Sequence, residues 1–205
     1  MCIDFYKKLN SFEGKDYIEN FLVYSLSLVI AGSKPAATVT FKKKGENLYD
    51  KWITYGRDFI RKIDLDFIEL RDCDDAVIVM IFSEVSLKEN LFKESHIEFL
   101  AALGYLKNGN LWDYLTMLET RYDLYNCPHE LGLFLGIPIK DVKDFMECTN
   151  KKCLMCGYWK VYNDHKKAQI IFNHYDCIKE HTVQHMLKGN TSIDLAFNLK
   201  NFFIP

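Results

Sequence analysis

Apolar residues at Ile18, Phe21, Leu22, Leu26, Val29 and Ile30, with Ser25 in the same register, follow the i, i+3, i+4, i+7 spacing of a helix over residues 16–31. Val23, Tyr24 and Leu28 occupy its other faces, so this helix is expected to be covered on most sides. Gly32 and Pro35 end it. The period then changes: Ala37, Val39 and Phe41 alternate with Thr38 and Thr40, the signature of a half-buried strand. A second helix is predicted over 48–62. Two strand-like runs follow at 67–71 and 76–82, and the acidic spacer Asp72-Cys73-Asp74-Asp75 between them predicts a hairpin. The run Ala-Val-Ile-Val-Met-Ile-Phe at 76–82 is apolar at every position, as in a central strand covered on both faces.

Beyond it the pattern returns to helices, at 86–93, 95–106 and 111–124. Pro128 suits the first position of a helix to about residue 135, and Gly136 and Pro138 separate it from another reaching about 148. Residues 157–162 read as a last strand, and 164–187 as a long amphipathic helix closed by Gly189. The tail ends Phe-Phe-Ile-Pro, whose apolar residues are expected to dock on the body. No repeat, low-complexity tract or linker interrupts the chain. The expected fold is α+β: one domain over 1–205, with a small, mainly antiparallel sheet of about four strands packed with seven to eight helices.

Composition agrees with a packed domain, since 49% of the residues are hydrophobic and 15% aromatic. With 26 Lys+Arg against 28 Asp+Glu, the chain lacks the broad positive field of non-specific nucleic-acid binding. Lys42-Lys43-Lys44, before Gly45, reads as a solvated loop. The most apolar stretch, 21–31, is shorter than the roughly 20 residues of a membrane span. The N-terminus lacks the pattern of a signal peptide, and seven cysteines are an odd number; reduced thiols in the cytoplasm are expected.

Chemically capable residues gather in a few segments. In Cys127-Pro128-His129-Glu130, Cys127 would be the N-cap of a proline-led helix, Glu130 would take the capping-box position, and His129 could act as a general base. Packing and capping account for the same residues. In Gly157-Tyr158-Trp159-Lys160-Val161-Tyr162, a strand would set Tyr158, Lys160 and Tyr162 on one face, where a lysine between tyrosines suits an anion or a flat ring. Lys34 sits in a tight helix-to-strand loop, where it could also cap the preceding helix. Cys153-Leu-Met-Cys156 and His174-Tyr-Asp-Cys177 resemble a Cys₃His zinc set or a redox dithiol, with Cys148 complicating the pairing. His174, Cys177, His181 and His185 form one helical stripe that could hold a transition metal or a haem iron, or be a solvated flank.

Three segments, Ala31-Gly32-Ser33-Lys34-Pro35-Ala36, residues 128–138 (PHELGLFLGIP) and residues 157–162 (GYWKVY), resemble a family of uncharacterised proteins of clostridia and related anaerobic Firmicutes, a domain of unknown function. The resemblance spans about 26–187. It implies a cytoplasmic bacterial protein and carries over no catalytic assignment. It does not include Cys153 or His174, and it brings an association with flavodoxins and iron supply.

The leading expectation is a site for a small anionic molecule built from Lys34, His129, Glu130, Tyr158, Lys160 and Tyr162, joined by Arg121. Rival expectations are a metal- or redox-linked binding protein using zinc, iron or haem, and an adaptor without chemistry that stabilises a partner such as a flavodoxin-type redox protein. Ligand identity, reaction type and oligomeric state are not encoded in any motif of the chain.

Overall fold

A computed structural model describes residues 2–45, 47–147 and 150–202. Contacts divide the chain into two compact units, residues 1–84 with 175–205, and residues 85–174. Each forms its own core.

The first unit opens with helices α1 (Cys2–Leu9), α2 (Gly14–Ser25) and α3 (Ser27–Ile30). The predicted 16–31 helix is thus broken once, at Leu26. Strand β1 (Ala36–Lys42) follows, then α4 (Leu48–Lys51), a π-turn over Trp52–Gly56 and α5 (Arg57–Lys62). The hairpin of β2 (Asp66–Asp72) and β3 (Ala76–Phe82) completes an antiparallel sheet in the order β1-β3-β2. The all-apolar run is therefore the central strand, as its composition requires. Pairing slips between Glu69 and Arg71, so Leu70 forms a bulge and is fully buried.

The π-turn has a packing cause. Trp52 stacks on Phe41 at 4.5 Å and meets Phe67 edge-on at 5.1 Å. A Cβ on Gly56 would lie 2.6 Å from the indole, so glycine makes room for this ring. The helix α12 (Ser192–Phe202), absent from the elements expected above, packs on α2 and α3.

The second unit holds α6 (Glu84–Leu91), α7 (Glu94–Ala102), α8 (Leu111–Tyr125), α9 (Leu131–Phe134) and α10 (Ile139–Met146). A two-stranded antiparallel ribbon follows, β4 (Met155–Cys156) with β5 (Lys160–Val161). Helix α11 (His165–Leu187) begins in this unit and continues into the first, ending before Gly189 at φ +85°. Asn110 caps α8 in a complete capping box with Asp113. Leu91, Leu100, Tyr114, Leu115, Leu118, Leu133, Phe134 and Val161 form the buried centre.

Residues 157–162 are not one strand. Gly157, Tyr158 and Trp159 form the turn of the ribbon. Gly157 lies against the Phe172 ring, where a Cβ would come within 2.3 Å, so glycine is what fits at this turn. Cys148 and the last residues of the tail lie outside the described residues. Among those described, no helix is long and apolar enough to cross a membrane.

Candidate functional site

Glu130 stands at the N-cap position of α9, but its side chain makes no capping bond. Its side chain is 1% exposed and accepts hydrogen bonds at Oε1 from Arg121 Nε and, at 3.3 Å, from Tyr105 OH. Arg121 Nη1 donates to the Leu103 carbonyl at 3.2 Å. Burial and the neighbouring Glu130 push the Tyr105 phenol well above its ordinary range, and the carboxylate raises the Arg121 guanidinium. This trio pins the turn after α8 to the loop after α7. Residues 128–130 make i→i+3 bonds into a four-residue helix, so Cys127 lacks the long helix whose field would activate it. Cys127 is exposed, with its sulfur 3.8 Å from Tyr122 OH.

His129 points elsewhere. It is exposed and meets the Phe145 ring edge-on at 4.9 Å, and Lys160 Nζ lies 5.5 Å from the same ring. The fold thus groups His129 with Lys160 and separates both from the Glu130 carboxylate. Tyr158 lies against Phe172 at 5.4 Å. Lys34 belongs to the other unit. There burial and the nearby Lys179 lower its pKa from 10.5 to about 8, and Tyr175 OH donates to the Ser33 carbonyl at 3.2 Å beside it.

A cavity of about 930 Å³ lies within the second unit. Lys93, Lys140, Lys151, Lys166 and Lys167 line it together with His96 and His165. Its acids are Asp141 and Asp164. Asp141 is 4% exposed and saturated with donors. Its Oδ1 accepts from Tyr162 N–H at 3.0 Å, Asn163 N–H at 3.1 Å and Asn163 Nδ2 at 2.7 Å, and its Oδ2 from Trp159 Nε1 at 2.9 Å. Asp164 Oδ1 accepts from Lys167 N–H at 3.0 Å. Of the lysines, Lys151 is tied to Asp144 at 2.8 Å and to Asn163 Oδ1 at 2.7 Å.

His96, 8% exposed, has a lowered pKa, chiefly from burial, with Lys93 and Lys143 adding to the shift against the Asn90 carbonyl. Its Nδ1 is buried without a hydrogen-bond partner in the protein. Of the seven residues expected to form the site, Tyr162 lines this cavity. Sequence reasoning missed Asp141, whose partners lie 18 to 22 residues away, and the lysines, which singly look like surface.

The Cys153 and Cys156 sulfurs are 3.4 Å apart. Among the described residues, no three of His, Cys, Asp and Glu are grouped to hold a metal ion. Cys153, Cys156, His174 and Cys177 therefore do not assemble the Cys₃His set that their spacing suggested. On the long helix, the His181 and His185 rings lie 4.2 Å apart, tilted by 37°, and burial followed by the His185 charge lowers the His181 pKa.

The fold and site define an α+β protein with a lysine-lined cavity in its 85–174 unit. The chain belongs to the family described as protein of unknown function, DUF3793, whose model matches residues 22–196. Neither curated proteins nor solved structures give a match.

Proposed function

We propose that this protein binds a small anionic molecule in the cavity of its 85–174 unit. The carrying observation is the imbalance of charge at the cavity wall. Five lysines face two aspartates there. Four donors from the 159–163 segment point to the Asp141 oxygens, so that carboxylate stabilises the wall. A cavity of this size suits a ligand in the range of about 300–1,000 Å³ typical of small-molecule sites. Lys93, Lys140, Lys166 and Lys167 are exposed residues, as lysines that meet a charged ligand from solvent must be. His96 lines the same cavity, and its burial lowers its pKa.

Titration calorimetry with inorganic phosphate, pyrophosphate and citrate tests the reading. Saturable binding of at least one of them is expected, weakening as salt rises. The double variant K140E/K167E changes exposed side chains, so it is expected to fold and to bind more weakly by about tenfold or more. Equal binding by that variant, or no saturable binding of any of the three anions, refutes the proposal.

A further inference from the structure

The Cys153–Cys156 pair sits on a part of the second unit that is held from several sides. Leu154 N–H donates to the Val161 carbonyl at 2.8 Å, and Met155 and Cys156 pair with Val161 and Lys160. Gly157, the next residue, is pressed against Phe172, and Trp159 beyond it is anchored on Asp141. Cys156 is exposed and Cys153 half-buried. The Cys153 thiol also approaches the Met155 carbonyl at 3.2 Å. At 3.4 Å the sulfurs are in contact, and a disulfide needs about 2.05 Å, so closure requires an approach of little more than about an ångström. Among the described residues, no other cysteine bonds to either sulfur, and no third metal-ligating group joins them.

We propose that Cys153 and Cys156 are a reversible dithiol–disulfide couple that exchanges with low-molecular-weight disulfides. In the oxidising direction the exposed Cys156 thiolate attacks one sulfur of the small disulfide. That S–S bond breaks, one small thiolate leaves, and a mixed disulfide forms on Cys156. Cys153, as its thiolate, then attacks the Cys156 sulfur and expels the second small thiolate. Two protein S–H bonds are lost and one S–S bond is gained. The small disulfide takes up the two electrons, and the two protons end on the two small thiols. The hydrogen bond that the Cys156 thiol donates to the Cys153 sulfur raises the Cys156 pKa while the Lys160 charge opposes it, so attack quickens as pH rises. The ring that closes spans only the two residues between the cysteines and lies at the surface. Such disulfides are the readily reduced ones, which makes the step reversible. This inference stands apart from the anion cavity.

The test uses the full chain, reduced, freed of reductant and equilibrated in buffers of graded oxidised-to-reduced glutathione ratio. After an acid quench, free thiols are blocked with N-ethylmaleimide and tryptic peptides are weighed. Lys152 and Lys160 bound a peptide, residues 153–160, that contains these two cysteines and no other. With rising oxidised glutathione, this peptide is expected to lose both labels together and to become lighter by two hydrogens, and excess reduced glutathione should restore it. C153S and C156S should each convert the closed form into a glutathione adduct on the remaining cysteine. Three results overturn the proposal: both cysteines still labelled in the most oxidising buffer, a lasting glutathione adduct on the wild-type peptide, or a cross-link from either cysteine to another one. The wild-type measurement decides alone if a serine variant fails to fold.

Discussion

Replacing Arg121 by methionine removes the partner of a carboxylate that has no route to water. The Glu130 side chain is 1% exposed and that of Arg121 16%. Without the guanidinium, Glu130 keeps only the Tyr105 hydroxyl, at 3.3 Å. An unpaired buried charge of this kind costs about 3–5 kcal/mol of stability, whereas an exposed pair is worth less than about 1 kcal/mol. Lost packing adds to it, because the guanidinium also covers the rings of Tyr125 at 5.0 Å and Tyr105 at 5.9 Å. E130Q retains the shape and an acceptor and should cost about 1–3 kcal/mol. R121M/E130M removes both charges and should recover much of the R121M loss, giving a coupling of about 2 kcal/mol or more. The assay is urea unfolding followed by tryptophan emission, which reads Trp112 and Trp159 in the second unit and Trp52 in the first. If R121M lies within about 0.5 kcal/mol of wild type, or the double-mutant coupling vanishes, the carboxylate is not the buried anchor described here.

Three further outcomes are expected. D141A strips the acceptor from Trp159, Tyr162 and Asn163 and should cost about 3 kcal/mol or more in thermal unfolding, while abolishing anion binding as the 159–163 segment is released. G157A drives a methyl group into the Phe172 ring and should cost about 1–3 kcal/mol by the same measurement, because the glycine's neighbour is a packed ring with little room to move. The folded pKa of Lys34, about 8, lies below its ordinary 10.5, so between those values the unfolded chain binds more protons and stability rises with pH. K34M should remove that rise and exceed wild type below pH 8 by on the order of 2 kcal/mol, allowing for partial contact with water; an unchanged pH profile in urea unfolding would refute the assignment.

Elements whose cause is local were legible in the sequence. Alternation at 37–41 marked β1, the all-apolar run marked the central β3, and Gly189 marked the end of α11. α12 was legible in principle and overlooked. Thr191 and Asp194 bond each other at its start, and Ser192, Leu195, Ala196 and Leu199 are its buried stripe. The π-turn, the Leu70 bulge and the bend at Gly157 were not legible. Each depends on a ring or strand distant in sequence: Phe41 and Phe67 for Trp52, β3 for Leu70, Phe172 for Gly157. The surroundings of Glu130 were not legible for a related reason. A Pro-His-Glu start fits a capping box, and only the approach of Arg121 and Tyr105 turns Glu130 inward.

That inward turn also governs where binding chemistry can reside. Glu130 and Asp141, the buried acids of the second unit, are both held by donors from other segments: Arg121 and Tyr105 in one case, the 159–163 segment in the other. A carboxylate surrounded by donors in this way organises backbone. The proton-transfer role expected of a His129–Glu130 pair therefore has no geometric basis, because the imidazole faces Phe145 and the carboxylate faces Arg121. The same arrangement leaves the exposed lysines of the cavity as its dominant charge, since Asp141 is directed into the wall beneath them. Acidic residues build the frame here, and basic ones remain for a ligand. Neutralising Asp141 should consequently weaken anion binding by loosening the frame, the opposite of what its removal would do if the acid merely repelled the ligand.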